Sequence, residues 1–73
     1  METGKIRIQD ELSLEDADKI LQALHGVWGV QRAEVDLENK EARFIYDKLA
    51  ASLHDFQHAL LDTGYHIDEP YKP

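Results

Sequence analysis

Hydrophobic and polar positions follow two rhythms along this chain, one of period two and one near 3.6. Residues 5–9 alternate, with Ile6 and Ile8 set between Lys5, Arg7 and Gln9; this predicts a short strand. Ser13 follows, with Asp16 three residues on, just before a repeat of Ala17, Ile20, Leu21 and Leu24. A serine, an acid three positions later and an apolar stripe are the signs of a helix start. Gly26 predicts that this helix ends near His25. Residues 30–37 alternate again, with Ala33, Val35 and Leu37 on one face. Glu38-Asn39-Lys40 reads as a turn in which asparagine takes the left-handed backbone. Ala42, Phe44 and Tyr46 then share a face of the next strand, so the two strands form a hairpin. Ser52 and Asp55 repeat the capping signature, and Leu53, Phe56 and Leu60 form the second helical stripe, with Leu61 on its flank. Gly64 stands where a C-terminal cap belongs. Residues 65–67 supply a last short strand, and residues 68–73, with two prolines, read as a loose polar tail.

The predicted order is strand, helix, strand, strand, helix, strand. That is the ferredoxin-like βαββαβ pattern of the α+β class, a four-stranded antiparallel sheet with both helices on one face. Right-handed crossovers in the two βαβ units support it. The reading is a single domain over residues 1–73, with an ordered core over about residues 4–68 and a polar tail at 69–73.

Composition narrows the function classes. A net charge of −7 over 73 residues argues against nucleic acid, which needs clustered Lys and Arg, and disfavours an anionic membrane surface. A basic partner protein or a cation remains electrostatically allowed. There is no cysteine, which excludes disulfides, thiolate metal sites and thiol nucleophiles. No apolar stretch approaches the roughly 20 residues of a membrane span, and the first residues lack the apolar run of a signal peptide. The expected location is the cytoplasm. No serine–histidine–acid set, glycine-rich phosphate loop or separated carboxylate pair stands out, so the chain reads as a non-enzyme.

Several local sequences resemble the heavy-metal-associated domain, the family of small copper chaperones and of N-terminal modules of metal-transporting ATPases. The markers are Gly29-Val30 after the first helix, Val35-Asp36-Leu37-Glu38, Tyr46-Asp47, Ser52-Leu53 and Leu60-Leu61-Asp62-Thr63-Gly64-Tyr65. The resemblance runs from about Lys5 to Ile67, and the spacing between these markers matches the family without a gap. The family's metal loop reads Gly-Met-Thr/Ser-Cys-x-x-Cys between the first strand and first helix. Here the matching stretch is Asp10-Glu11-Leu12-Ser13-Leu14-Glu15-Asp16. Ser13 falls at the first cysteine position and Asp16 at the second, and the glycine and methionine are gone as well. Cu(I) calls for soft thiolates; a serine hydroxyl and a lone hard carboxylate do not replace them. The resemblance therefore implies the scaffold without classical Cu(I) or Zn(II) thiolate binding. Ser13 and Asp16 read instead as helix-capping residues.

Other residues could carry function. His54 and His58 are four apart on the second helix, and Asp62 extends the row; two histidines at this spacing can chelate Zn(II), Ni(II) or Cu(II). The preferred reading is a solvated face with no cofactor, because Leu53, Phe56 and Leu60 claim the buried side. Trp28, between Gly26 and Gly29, reads either as a ring laid over the end of the core or as a contact anchor of the kind tryptophan often supplies. Ile45 shares the open sheet face with Arg7, Arg32, Glu34 and Arg43. Together with Lys5 these cations would concentrate positive charge there, leaving the acids to the helical side, an asymmetry suited to docking. Tyr65 matches an aromatic that lies near the metal loop in bacterial relatives, and is expected to pack against Leu12 and the first helix cap. The reading that emerges is an interaction or regulatory module with an unidentified protein partner, using the sheet face, Trp28 and the loop before Ser13. Pairing of two copies through the open face or an edge strand is also allowed. The alternative is an accessory metal binder using His54, His58 and Asp62.

Overall fold

A computed structural model describes residues 1–68. The elements run β1 (Glu2–Ile8), α1 (Leu14–His25), β2 (Val30–Asp36), β3 (Glu41–Tyr46), α2 (Leu53–Asp62) and β4 (Ile67–Asp68). The tail expected at residues 69–73 lies outside the described residues. The sheet proper is three antiparallel strands in the order β2-β3-β1. Beyond β1, the expected fourth strand is a two-residue pairing, Arg7 with Asp68 and Ile8 with Ile67. β1 begins at Glu2, earlier than the alternation predicts, because Gly4 takes an inward position that its hydrogen side chain hides from a hydrophobicity count. A side-chain Cβ at Gly4 would land on the ring of Phe44, so the close approach of β1 to that ring requires glycine.

The start of α1 is built as its sequence predicts, whereas at α2 the Ser52 side chain makes no capping bond and only the Asp55 half of the box forms. The Asp16 carboxylate accepts from the Ser13 amide at 2.8 Å, and the Ser13 hydroxyl accepts from the Asp16 amide at 3.3 Å. Asp55 accepts from the Ser52 amide at 2.9 Å. The helix ends differ from one another. Gly26 stays right-handed at φ −75°, and the left-handed residue of that connection is Gly29 at φ 101°. After α2, Gly64 is left-handed at φ 103°. Its amide donates to the Leu61 carbonyl at 3.0 Å and that of Tyr65 to the Leu60 carbonyl at 3.2 Å. These two bonds are the Schellman pattern, and they deliver Tyr65 back toward the start of α1.

In the β2–β3 turn the left-handed residue is Lys40 at φ 55°, not Asn39. Asn39 instead donates its amide to Asp36 at 3.1 Å and its side chain at 2.8 Å. Leu37, expected on the core face of β2, sits half-buried in this turn.

The core lies between the sheet and both helices. Ile6, Ile8, Ala42 and Phe44 come from the strands; Ile20, Leu24, Phe56 and Leu60 come from the helices; Ala51, Tyr65 and Ile67 close the edges. Phe44 and Phe56 stack with ring centroids 4.0 Å apart. Leu53, expected in the α2 stripe, is 36% exposed, because it stands at the first helical position, a turn short of where the stripe meets the sheet.

Candidate functional site

The rewritten loop between β1 and α1 is closed by hydrogen bonds. Asp16 holds two partners at once: Oδ2 accepts from the Ser13 amide and hydroxyl at 2.8 and 2.9 Å, and Oδ1 accepts from the Tyr65 hydroxyl at 2.7 Å. The Tyr65 bond, then those from Ser13, hold the Asp16 carboxyl below the usual carboxylate range. Burial, with help from the Asp16 charge, pushes the Tyr65 phenol up to about 12. Next to this cluster the Asp10 carboxylate accepts from the His66 amide at 2.7 Å and meets the His66 Nδ1 at 3.0 Å. Those bonds, backbone first, lower the Asp10 pKa. Lys40 reaches Glu11 at 3.4 Å from the neighbouring turn. Leu12 packs on the core beneath, and Tyr65 meets the first helix cap as expected, through its hydroxyl on Asp16.

This arrangement does not fit Cu(I). Its donors are hard oxygens, and both Asp16 oxygens are committed to internal hydrogen bonds. Among the described residues, no group of three or more His, Cys, Asp or Glu side chains is placed to hold a metal ion. On α2, the His54 and His58 rings meet edge to face with centroids 4.3 Å apart; Asp62, exposed at the end of the helix, does not complete a third ligand.

The open sheet face carries the expected Arg7, Arg32, Arg43 and Ile45. Register sets Arg32 and Thr3 beside Ile45, and Lys5 and Glu34 beside Arg43. The positive field expected there is largely neutralised, because alternation also brings Asp36 and Glu41 to this face. Arg43 meets Glu41 at 3.1 Å, Asp36 at 3.4 Å and Glu34 at 3.8 Å, and Lys5 meets Glu41 at 3.8 Å. Counting by twos from Glu34 and Arg43 was the signal that would have found both acids. The face is a mixed-charge plate around one half-buried isoleucine.

Trp28 stands apart, at the end of the sheet away from the rewritten loop, where Glu2 and Val30 both pair with Tyr46. Its side chain is 85% exposed, so the ring does not cover the core. The connection that carries it is pinned: the Asp47 amide donates to the Gly29 carbonyl at 3.0 Å, and a Cβ on Gly29 would come within 2.8 Å of the Ala50 Cβ. Leu49, 91% exposed, projects from the neighbouring β3–α2 connection. Sequence reasoning missed Leu49, which no periodicity marks, and the Asp10–His66 pair, whose members lie 56 positions apart. Tyr65, by contrast, is buried and belongs to the interior of the loop rather than to a docking surface.

No protein-family profile and no curated protein sequence matches the chain. Solved structures do. Oxidised MerP from Ralstonia metallidurans CH34 superposes with a TM-score of 0.85 at 21% identity, over 92% of this chain and 93% of that one. The CopZ metallochaperone gives 0.87 at 22% identity, over 92% and 100%. The N-terminal domain of a potential copper-translocating P-type ATPase from Bacillus subtilis gives 0.83 at 24% identity, over 90% and 82%. The fold is that of the heavy-metal-associated, copper-chaperone-like domains. This chain carries it without any cysteine, hence without the cysteine pair that the resemblance would require. Among the described residues no helix is long and apolar enough to cross a membrane.

Proposed function

We propose that this protein is a non-catalytic interaction module that keeps the heavy-metal-associated scaffold for contact with another protein in the cytoplasm. The observation that carries the reading is Trp28, 85% exposed on a connection held by Gly29 and Ala50. A large aromatic kept in water on a pinned loop is the form of a binding anchor, since aromatic side chains bring much apolar area at small entropic cost. Leu49 adds exposed apolar surface on the connection that approaches Gly29, and the Arg32–Ile45 row of the open face begins at the same end of the sheet. The paired charges beyond that row suit register and selectivity more than raw affinity.

The solved structures of this fold include a domain of a P-type ATPase, and an acceptor of that kind is the first partner to try. The test is a titration of the labelled chain with such a domain, followed by NMR. Shifts at Trp28, Leu49, Arg32 and Ile45 are expected, with affinity at least about tenfold weaker for Trp28→Ala, as for a binding hot spot. Arg43→Glu, which turns a bridged cation into an acid among acids, should weaken it too. Unchanged affinity in both variants would remove this surface from the function.

A further inference from the structure

Helix α2 presents a second chemistry that the loop before α1 has lost. We propose that His54 and His58 form a two-imidazole chelate for a borderline divalent cation, Cu(II) ahead of Ni(II) and Zn(II). Residues four apart share one helix face, and here the two rings already touch at a centroid separation of 4.3 Å. Both side chains are exposed, so each ring turns about its broad second torsion without disturbing the core. A chelate needs one nitrogen of each ring turned to one point, at the roughly 2.0–2.1 Å at which imidazole meets a zinc-like metal. The backbone beneath is set before any metal arrives: the Ser52–Asp55 cap holds one end of α2 and the Gly64 turn the other. A backbone already in place leaves only the side-chain torsions of the two histidines to be ordered on binding.

The donor type selects the metal. Imidazole suits copper, nickel and zinc in their divalent forms, and divalent affinities rise to a maximum at Cu(II), which takes a tetragonal set of nitrogen and oxygen ligands. Two imidazoles fill two positions and water the rest, leaving an open site weaker than a closed four-ligand one. The site therefore differs from a thiolate loop in place, in softness and in oxidation state of the ion it takes. A net charge of −7 gathers cations near the surface. Asp62 continues the row on α2 but stands outside the chelate, since no three-ligand group forms there.

The test uses the intact chain and the metal salts alone, in a buffer that does not bind them. Titration with Cu(II), Ni(II) or Zn(II) is followed by calorimetry, and by NMR, where paramagnetic Cu(II) broadens nearby amides. One equivalent of Cu(II) should bind saturably, broadening α2 first, and more tightly than the other two ions. His54→Gln and His58→Gln should each weaken Cu(II) by at least about tenfold, a difference of 1.4 kcal/mol. Asp62→Asn should change it by less than about threefold, and Trp28→Ala should leave it unchanged. Acidification should release the metal, because protons compete for the ring nitrogens. Absence of saturable Cu(II) binding tighter than about millimolar would overturn the proposal. So would equal binding by the double His54→Gln, His58→Gln variant, which keeps His25, His66 and the N-terminus.

Discussion

Asp16 stands at the start of α1 with both oxygens engaged, one by Ser13 and one by Tyr65. Its ionisation is therefore linked to folding. The carboxyl is held below its ordinary range, so its stabilisation is complete above the unfolded value near pH 4 and is lost as pH falls through the lower folded value. Asp10, bonded to His66, and Asp36, bonded to Asn39, shift the same way. Tyr65 runs in the opposite sense: its neutral phenol stabilises fully below the ordinary value near 10, and this is lost as pH rises through about 12. The midpoint of urea unfolding is expected to be lower at pH 3 than at pH 7, and Asp16→Asn should narrow that gap. Of this cluster, Ser13 and Asp16 were legible in the sequence because a helix cap is a local pattern. The meeting of Tyr65 with this cap came from the family resemblance alone, and its hydrogen bond to Asp16 was not foreseen, since it spans 49 positions and depends on the left-handed turn at Gly64.

The elements themselves were largely readable, and the errors cluster where a small or terminal residue hides its position. Gly4 is the clearest case. It lies inward on β1 against Phe44, yet a glycine carries no hydrophobic signal and the strand was expected to start only at residue 5. Gly4→Ala is expected to destabilise the protein by about 1–3 kcal/mol, the usual cost of overpacking, as read from chemical denaturation. Leu53 shows the converse, an apolar residue at a helix start whose spacing matches the stripe but whose place lies beyond the sheet. In the β2–β3 turn, asparagine was the natural candidate for positive φ; it serves Asp36 instead, and Lys40 bears the left-handed backbone. The order of elements survives such slips, because periodicity over a whole strand or helix outweighs any one residue.

Across the molecule, a domain of this size buries only about 60% of its unfolded surface, and much of what it buries passes through one aromatic stack. Phe44 and Phe56 lie 4.0 Å apart, with Tyr46 5.1 Å from Phe56. Phe56→Ala is expected to cost about 3–5 kcal/mol, comparable to the 3–5 kcal/mol that a single core of this size supplies. The variant should lose the dispersed NMR spectrum of a folded protein. The two-helix, antiparallel-sheet architecture and the loss of the cysteine loop were legible from periodicity and from the replaced motif. The neutralised sheet face was not, because the reading followed the cations and stopped before the acids two positions away. The bare Trp28 loop has an optical consequence. The chain holds one tryptophan, and it sits outside the core. Its emission will be that of indole in water in the folded and the unfolded chain alike, nearly blind to unfolding. It will move to the blue only when something covers the loop, which makes the native protein its own unlabelled reporter of whatever it meets.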